Sequence, residues 1–347
     1  MNTSTSNIKD GFIDWEALEQ FIKTSLSLDD EKMIVKPFSE GYSNLTFSVK
    51  IGDWEGVLRR PPYGEVPKKA HDMKREYTIL EKLHPHFELA PKALLFSEGN
   101  NIMDKHFYVM EKKQGVVIDA EIPMIEGAKS IEQEISQSLV DTFITLQQVD
   151  YEKAGLQSIG RPEGFLERQV NGWINRYALS ATDEIPAIKE VESWLLKHIP
   201  TTTETTIVHN DFKLNNLVFA TDAPVRINGV LDWELATIGD PLSDLGSTLA
   251  YWMEKDDLNL GIHSVTHKPG FYSRREFVEA YAVASKRDVS EMHYYLSFGF
   301  YKLTVILQQI YYRWKNGSAQ DDRFKNLNIA AANLIEMAHL AKEKRLL

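Results

Sequence analysis

The sequence predicts an α+β protein in which a small β-rich lobe precedes a larger, mostly helical lobe. Runs typical of β-strands dominate residues 33–110, whereas helical spacing of apolar residues dominates the chain that follows. Residues 207–246 interrupt the helices with polar side chains on loops between short apolar runs, as functional sites on rigid scaffolds often do. We expect the first lobe at 1–113, with 1–10 as a mobile tail, and the second at 114–347.

Composition narrows the class of protein. The 347 residues are 43% hydrophobic and 26% charged, which is typical of a globular chain. A net charge of −11 argues against nucleic acid as the main partner, because phosphate binding needs a clustered basic surface. The chain contains no Cys, which excludes disulfides and thiolate metal sites. No apolar run approaches the roughly 20 residues of a membrane span, and no signal peptide is visible, so we expect a cytoplasmic protein without a membrane partner.

The N-terminal lobe begins with a predicted helix over residues 15–25, for which Asp14 is the expected N-cap. A second helix is predicted over residues 71–84 from the spacing of its apolar residues. The predicted strands lie at 33–38, 45–51, 54–59, 92–96 and 107–110.

The loop between the first two strands contains Gly41, Ser43 and Asn44. A tight loop of this kind can place backbone N–H groups against phosphates, which makes these residues candidates for nucleotide binding. An ordinary hairpin turn is the alternative interpretation, since the loop has a single Gly.

A cation at the end of the third strand is the second nucleotide-binding candidate. We expect Arg59 to hold phosphates while Glu76, on the following helix, pairs with it. Arg60 takes this place if the strand register shifts by one residue. Glu111 and Lys113, in the segment that joins the lobes, are expected to bind adenine through their main-chain atoms.

The C-terminal lobe is predicted to be mainly helical. Its aromatic residues recur at helical spacing, which more often indicates a core than a ligand site. The predicted helices lie at 130–149, 163–177, 187–198, 244–253, 277–285, 292–314 and 323–346.

The central segment carries the spacing His-x-Asp-x-x-x-x-Asn, which is His209, Asp211 and Asn216, and a later Asp232. Strands are predicted at 206–208, 216–219, 225–227 and 229–231, the last ending just before Asp232. In kinases this spacing provides a base for the acceptor hydroxyl and two oxygen ligands for Mg²⁺. Asp211 is therefore the candidate base, and Asn216 and Asp232 are the candidate metal ligands. An Asx-turn is the structural alternative for Asp211.

Other polar residues of the segment have more than one interpretation or a structural one. Asn215 is an alternative metal ligand, although the spacing selects Asn216. Lys213 is positioned to reach a γ-phosphate, or it is a solvated side chain. We interpret His209 as a structural residue that bonds nearby backbone, and Asp244 as a carboxylate at a helix N-terminus that fixes the loop.

These motifs resemble a known family. The runs HNDFKLNNLVF and VLDWELATIGDPLSDLG are similar to the aminoglycoside phosphotransferase, or choline-kinase-like, superfamily, which has a two-lobed protein-kinase-like fold. EGYSNLTF, VLRRPP, REYTIL and GRPEGFLERQVNGW resemble, more narrowly, the phosphotransferase domains of acyl-CoA dehydrogenase family members 10 and 11 and their free-standing bacterial relatives. The resemblance implies ATP and Mg²⁺, with Asp211 as base and Asn216 and Asp232 as metal ligands.

Two further expectations concern a departure from the family pattern at Arg59 and the identity of the phosphate acceptor. Arg59 stands where this fold usually has Lys, but the narrower group also carries Arg there, which favours retained activity. Only eleven residues separate Asp232 from Asp244, too few for a peptide-docking activation loop, so a small hydroxylated acceptor is expected. The resemblance implies a hydroxyacyl-CoA or another hydroxylated metabolite. The alternative is a nucleotide-binding pseudokinase or scaffold. Nothing in the sequence predicts an oligomeric state.

Overall fold

The computed structural model describes residues 12–38, 44–64, 71–119, 121–122, 131–202, 204–223 and 225–347. The chain forms two compact units, Met1–Gln114 and Gly115–Leu347. Each unit contains both strands and helices, and the second contains most of the helices. The predicted α+β class is confirmed. Helices in the described part of the chain are all too short or too polar to cross a membrane.

The first unit is built on a five-stranded antiparallel sheet with the strand order β1-β2-β3-β5-β4. The bulk of this sheet follows the predicted pattern, and β2 has the predicted bounds. The strands are β1 (Ile34–Pro37), β2 (Leu45–Ile51), β3 (Trp54–Arg60), β4 (Ala93–Ser97) and β5 (Phe107–Glu111), and the helices are α1 (Trp15–Leu26) and α2 (Met73–Leu83).

Helix α1 begins where the sequence predicts. Asp14 accepts a hydrogen bond from the backbone N–H of Ala17 at 2.9 Å, which satisfies one of the donors left open at a helix start. Leu18 and Ile22, four residues apart and thus on one helix face, are buried in the same core as the sheet residue Val49. The apolar face of α1 therefore contributes to the core that supports the sheet.

The second unit combines seven helices with short strands in its described part. Two small antiparallel sheets, with the orders β6-β8-β9 and β10-β7, carry the central motif. The helices are α3 (Ile131–Gln147), α4 (Phe165–Ser180), α5 (Ile188–Lys197), α6 (Pro241–Tyr251), α7 (Arg274–Ser285), α8 (Met292–Lys315) and α9 (Leu327–Lys342); the strands are β6 (Val116–Val117), β7 (Thr206–Val208), β8 (Leu217–Phe219), β9 (Ile227–Val230) and β10 (Thr237–Gly239).

One prediction for this segment was wrong, and one strand was not predicted. The separate strands expected at 225–227 and 229–231 are one strand, β9, which pairs with β8 across an irregularity in register. Residues 237–239, for which no strand was predicted, form β10, which pairs with β7. Three residues are too few for an alternating pattern to stand out, so a run this short gives no clear signal.

Helices α6 and α8 approach each other through glycines. A Cβ atom added to Gly299 would lie 2.2 Å from the carbonyl oxygen of Gly246, and one added to Gly246 would lie 2.3 Å from the carbonyl oxygen of Tyr295. Any side chain at either position would force the backbones apart. This close approach brings Ser247 of α6 within 2.8 Å of Lys302 of α8.

Candidate active site

The loop after β7 is anchored by a buried carboxylate of α6. Asp244, which is fully buried, accepts hydrogen bonds from the backbone N–H of His209 at 2.6 Å and of Asn210 at 2.7 Å. Burial raises the pKa of Asp244, while the hydrogen bonds from the two backbone N–H groups act in the opposite direction. Asn210 adopts a left-handed conformation with φ of 66°. Asp244 thus holds a strained turn in place directly before Asp211.

His209 links this loop to the segment that bears Asp232. Its Nε2 lies 3.0 Å from the carbonyl oxygen of Leu231, and its Nδ1 accepts from the N–H of Asp211 at 3.3 Å. This pattern selects the neutral tautomer that carries its proton on Nε2. The ring also packs edge-on against buried Trp233, with a centroid distance of 4.7 Å. These contacts are those of a structural histidine that bonds backbone.

The carboxylate of Asp211 is oriented by two neighbours. The side-chain amide of Asn216 donates to the Asp211 carbonyl and to its Oδ2, both at 2.8 Å. Lys213 Nζ lies 3.0 Å from the same Oδ2. The side chain of Asp211 remains 15% exposed, so it is held firmly while still reachable by a ligand.

Tyr251 and Lys213 complete the surroundings of Asp211. Burial, followed by the negative charge of Asp211, raises the pKa of Tyr251, which keeps its hydroxyl protonated. Lys213 Nζ lies 4.6 Å from the centre of the Tyr251 ring. Burial acts to lower the pKa of Lys213, but the negative charges of Asp211 and Asp232 raise it, so Lys213 remains charged. In this structure Lys213 neutralises Asp211.

The two predicted metal ligands lie at the same end of the β8–β9 pair. The backbone N–H of Leu231 donates to the carbonyl of Asn216 at 2.8 Å, and Asp232 is the next residue. Asn216 uses its amide nitrogen on Asp211, and its amide oxygen takes part in none of the described hydrogen bonds. Asp232 is left-handed, with φ of 66°.

This donor set fits Mg²⁺. An amide oxygen and a carboxylate are hard ligands of the kind that Mg²⁺ uses when phosphate oxygens and water complete its shell. Within the described ranges, no group of three or more His, Asp or Glu residues could hold a metal ion by itself.

In the first unit, the predicted ion pair on β3 and α2 is present. Arg59 Nη1 lies 2.9 Å from Glu76 Oε1, and both side chains are nearly buried. Arg60 is engaged elsewhere: its Nη2 bonds Asp104 at 2.9 Å and its Nε donates to the carbonyl of Pro61. The strand register therefore selects Arg59, not Arg60, as the partner of Glu76.

The other predicted nucleotide-binding residues differ in what the structure describes. Gly41 and Ser43 lie outside the described residues. The side chain of Asn44 accepts at 2.7 Å from the ring of His71, which was not predicted as a site residue. Glu111 bonds the backbone N–H of Lys92 at 3.0 Å, and Lys113 lies 3.0 Å from Glu111. Because these two side chains are used locally, any contact with a ligand would come from their main chain.

A cavity of about 230 Å³ opens beside Asp211 within the second unit. Its walls include Tyr251, Arg176 and Lys302, none of which the sequence analysis identified as a site residue. Burial lowers the pKa of Lys302 to about 8, because Asp244 and Asp211 offset only part of the lost hydration. A carboxylate thus faces a small cavity that also holds two cations.

A comparison with protein families identifies this arrangement. The model described as the phosphotransferase enzyme family, APH, matches residues 34–293, which include both the Arg59–Glu76 pair and the whole central motif. The chain belongs to this family.

Curated relatives agree with the APH assignment. The chain is 34% identical over 304 residues to acyl-CoA dehydrogenase family member 11 of Rattus norvegicus, a match that covers 85% of this chain and 38% of the relative. It is 29% identical over 338 residues to acyl-CoA dehydrogenase family member 10 of Mus musculus, covering 93% of this chain and 30% of the relative. The chain thus spans about a third of the length of these relatives.

Solved structures confirm the protein-kinase-like APH fold. A protein of Ralstonia eutropha JMP134, provisionally assigned as an aminoglycoside phosphotransferase, superimposes with a TM-score of 0.81 at 27% identity, covering 96% of this chain and 99% of that one. A thermostable mutant of APH(4)-Ia, solved with AMP-PNP and hygromycin B, gives a TM-score of 0.59 at 16% identity, covering 93% and 98%. At that identity the second likeness concerns the fold alone.

Proposed function

We propose that this APH-family protein transfers the γ-phosphoryl group of ATP to a hydroxyl of a small molecule, with Asp211 as the base. The observation that carries the proposal is the setting of Asp211. Its carboxylate is fixed by Asn216 at 2.8 Å and by Lys213 at 3.0 Å, and it faces a cavity large enough for a small acceptor. An Asx-turn residue would need neither the cavity nor the two charged or amide partners.

The reaction divides between bond making and proton transfer. The acceptor oxygen forms a bond to the γ-phosphorus, the bond from that phosphorus to the bridging oxygen breaks, and ADP leaves with the electron pair. The hydroxyl proton moves to the carboxylate of Asp211. Lys213, which stays charged beside Asp211, would balance negative charge as it develops near this carboxylate. Because Asn216 and Lys213 both contact Oδ2 of Asp211, the carboxylate is oriented before the acceptor arrives.

Mg²⁺ and the nucleotide are assigned to residues that fit them. Asn216 and Asp232 would hold Mg²⁺, which supplies charge neutralisation of the phosphate oxygens when bound. Arg59, oriented by buried Glu76, would bind phosphates as a bidentate cation. Asn44, and Gly41 and Ser43 before it, would bind phosphates as well. AMP-PNP in the APH(4)-Ia complex supports a nucleoside triphosphate as the donor.

Relatives and the cavity both bear on the acceptor. The acyl-CoA dehydrogenase relatives support a hydroxyacyl-CoA or a related hydroxylated metabolite, whereas hygromycin B in the APH(4)-Ia complex supports an aminoglycoside-like alcohol. The absence of room for a peptide-docking loop between Asp232 and Asp244 favours a small molecule in either case.

The proposal is tested by calorimetric titration with ATP in the presence and absence of Mg²⁺, together with slow ATP hydrolysis. We expect Mg²⁺-dependent binding that Asp232→Ala and Asn216→Ala weaken strongly. Asn215→Ala is the matched control, because Asn215 is exposed and its side-chain amide donates to Asp119 at 3.3 Å. If wild-type protein binds ATP equally well without Mg²⁺, or not at all, the proposal fails.

Turnover separates the enzyme from its alternative. We expect Asp211→Ala to bind Mg-ATP like wild type but to lose hydrolysis and transfer, because a base is needed for the reaction and not for binding. A pseudokinase would bind nucleotide without transferring phosphate to any hydroxyl in a metabolite screen. That result would favour the nucleotide-binding scaffold over the phosphotransferase as the function of this protein.

A further inference from the structure

The charge of the cavity beside Asp211 carries information about the acceptor. Two cationic side chains, Arg176 and Lys302, line it together with the carboxylate of Asp211. The remaining walls are neutral, and they include the aromatic ring of Trp173. An acceptor in this cavity therefore meets one negative and two positive groups.

Lys302 lies in a buried position on α8, with 6% of its surface exposed. Its ammonium donates to Ser247 Oγ at 2.8 Å and contacts Asn210 Oδ1 at 3.4 Å, so neutral oxygens are its direct partners. Asp244 attracts it electrostatically, but both Asp244 oxygens already accept from the backbone of the loop. A buried cation whose direct partners are neutral is stabilised by an anionic ligand, because the negative charge compensates for lost hydration.

Arg176 lies on α4 and is exposed. Its guanidinium stacks over the Trp173 ring at 4.5 Å, and no carboxylate within the described ranges forms an ion pair with it. Loss of part of its hydration lowers the pKa of Arg176, with no anion acting against the shift. The planar fork of arginine, fixed on an aromatic ring, is well suited to a carboxylate or phosphate group.

The Trp173 ring is part of the same wall and supports the Arg176 guanidinium. Two cations in the lining favour an anionic, oxygen-rich ligand over an amine.

We propose that the cavity binds the phosphate acceptor and that this acceptor is a small hydroxylated anion, whose carboxylate is bound by Arg176 and Lys302 while its hydroxyl meets Asp211. The inference rests on the proposed function and names its substrate class. A cavity of about 230 Å³ lies below the roughly 300–1,000 Å³ of pockets for drug-sized ligands, which favours a short hydroxy acid over an oligosaccharide. An aminoalcohol would be opposed by two cations.

The test measures phosphorylation of four matched probes: β-hydroxybutyrate, its methyl ester, aminopropanol and the CoA thioester of the same acid. We expect kcat/KM for the free acid to be at least tenfold higher than kcat/KM for the ester or for the aminoalcohol. Arg176→Met should raise KM for the acid about tenfold, with KM for ATP unchanged and KM for the ester little affected. Lys302→Met should act in the same way, and exposed Arg176 supplies the decisive variant if Lys302→Met does not fold.

Several outcomes would overturn the inference and leave the phosphotransferase intact. One such outcome is a higher kcat/KM for the ester, the aminoalcohol or the thioester than for the free acid. Another is an equal change in KM for all four probes in Arg176→Met. If no probe is phosphorylated, binding of β-hydroxybutyrate is measured by calorimetry in the presence of Mg-ADP. Failure of the acid to bind at millimolar concentration, or binding that Arg176→Met does not weaken, also overturns it. Loss of Mg-ATP binding in wild type would instead contradict the proposed function.

Discussion

Asp244 offers a prediction whose magnitude follows from its contacts. Replacing it by Ala removes the acceptor for two backbone N–H groups, those of His209 and Asn210, in a buried position. Each donor left without an acceptor costs ~1–3 kcal/mol, which gives ~2–6 kcal/mol for the pair. Removing a buried carboxylate returns part of this cost, since its burial is itself unfavourable. We therefore expect a loss of about 3 kcal/mol in the free energy of unfolding.

This loss is large relative to the ~5–15 kcal/mol that stabilises a typical domain. It should appear as a lower midpoint in urea denaturation followed by tryptophan fluorescence. Asp244→Asn keeps one acceptor oxygen but turns an amide nitrogen toward the second N–H, so we expect an intermediate loss. Because the loop that is released carries Asp211, both variants should also lower kcat at temperatures where they remain folded.

The matched control is Asp240, which caps the same helix. It is also buried and accepts from the Leu242 N–H at 2.9 Å, but it contacts neither backbone group of the catalytic loop. Asp240→Asn should lower stability and leave kcat of the folded fraction near wild type. A loss below about 1 kcal/mol in Asp244→Ala, or equal effects of Asp244→Asn and Asp240→Asn on kcat, would refute the reasoning.

Three further predictions concern other contacts. Glu76→Gln removes the carboxylate charge that lies 2.9 Å from the buried Arg59 guanidinium, so we expect the free energy of unfolding to fall by ~3–5 kcal/mol and KM for ATP to rise; an unchanged denaturation midpoint would contradict this. Gly299→Ala should lower the free energy of unfolding by roughly 1–3 kcal/mol, since its Cβ would meet backbone at 2.2 Å. Gly172→Ala, whose Cβ would meet a side-chain atom at 3.9 Å, should be neutral or stabilising by up to ~1 kcal/mol. Equal denaturation midpoints for the two variants would show that α6 and α8 separate freely. The protonated form of Lys302 is the one that attracts an anion, so KM for β-hydroxybutyrate should rise roughly fivefold over the first pH unit above 8, and a flat profile in steady-state assays would exclude its role.

The groups around Lys302 fix the sign of that pH dependence. Asp244 and Asp211 face it and favour its charged form, while Arg176 opposes that form and burial opposes it most. Neither Ser247 nor Asn210, its direct hydrogen-bond partners, changes charge in this range. KM should therefore rise as the pH increases, because Lys302 loses its proton, and should not fall.

Much of the fold was predictable because local signals and tertiary packing agree. The bounds predicted for β2, Leu45–Ile51, are those of the structure, and Asp14 caps α1 as expected. Helix α6 begins at Pro241, three residues earlier than predicted, although Asp240 followed by Pro is a recognisable N-cap and first-turn signal. Helix α7 likewise begins earlier than predicted, at Arg274, after a capping box formed by Ser273 and Glu276.

In the candidate site, proximity was predictable for residues that lie near one another in the sequence, such as Asp211 with Asn216 and Arg59 with Glu76. The fixed spacing of Asp211, Asn216 and Asp232 predicted that these residues lie close together. Their places around β8 and β9 follow from the pairing of neighbouring strands. Arg176 and Lys302 come from α4 and α8, far from Asp211 in sequence. Helical periodicity cannot distinguish a side chain that lines a cavity from one that packs in a core, so tertiary structure alone identifies them.

Transfer of phosphate by wild type and Asp211→Asn is the most direct measurement of the central claim. Once an acceptor has been found that wild type phosphorylates with Mg-ATP, the phosphate ester formed in a single turnover can be followed by ³¹P NMR or by radiolabel from γ-labelled ATP. The substitution keeps the size and hydrogen-bonding reach of the side chain but removes the base, so we predict a transfer rate lower by about 10²–10⁴ with Mg-ATP affinity preserved. Transfer by Asp211→Asn at the wild-type rate would contradict the account.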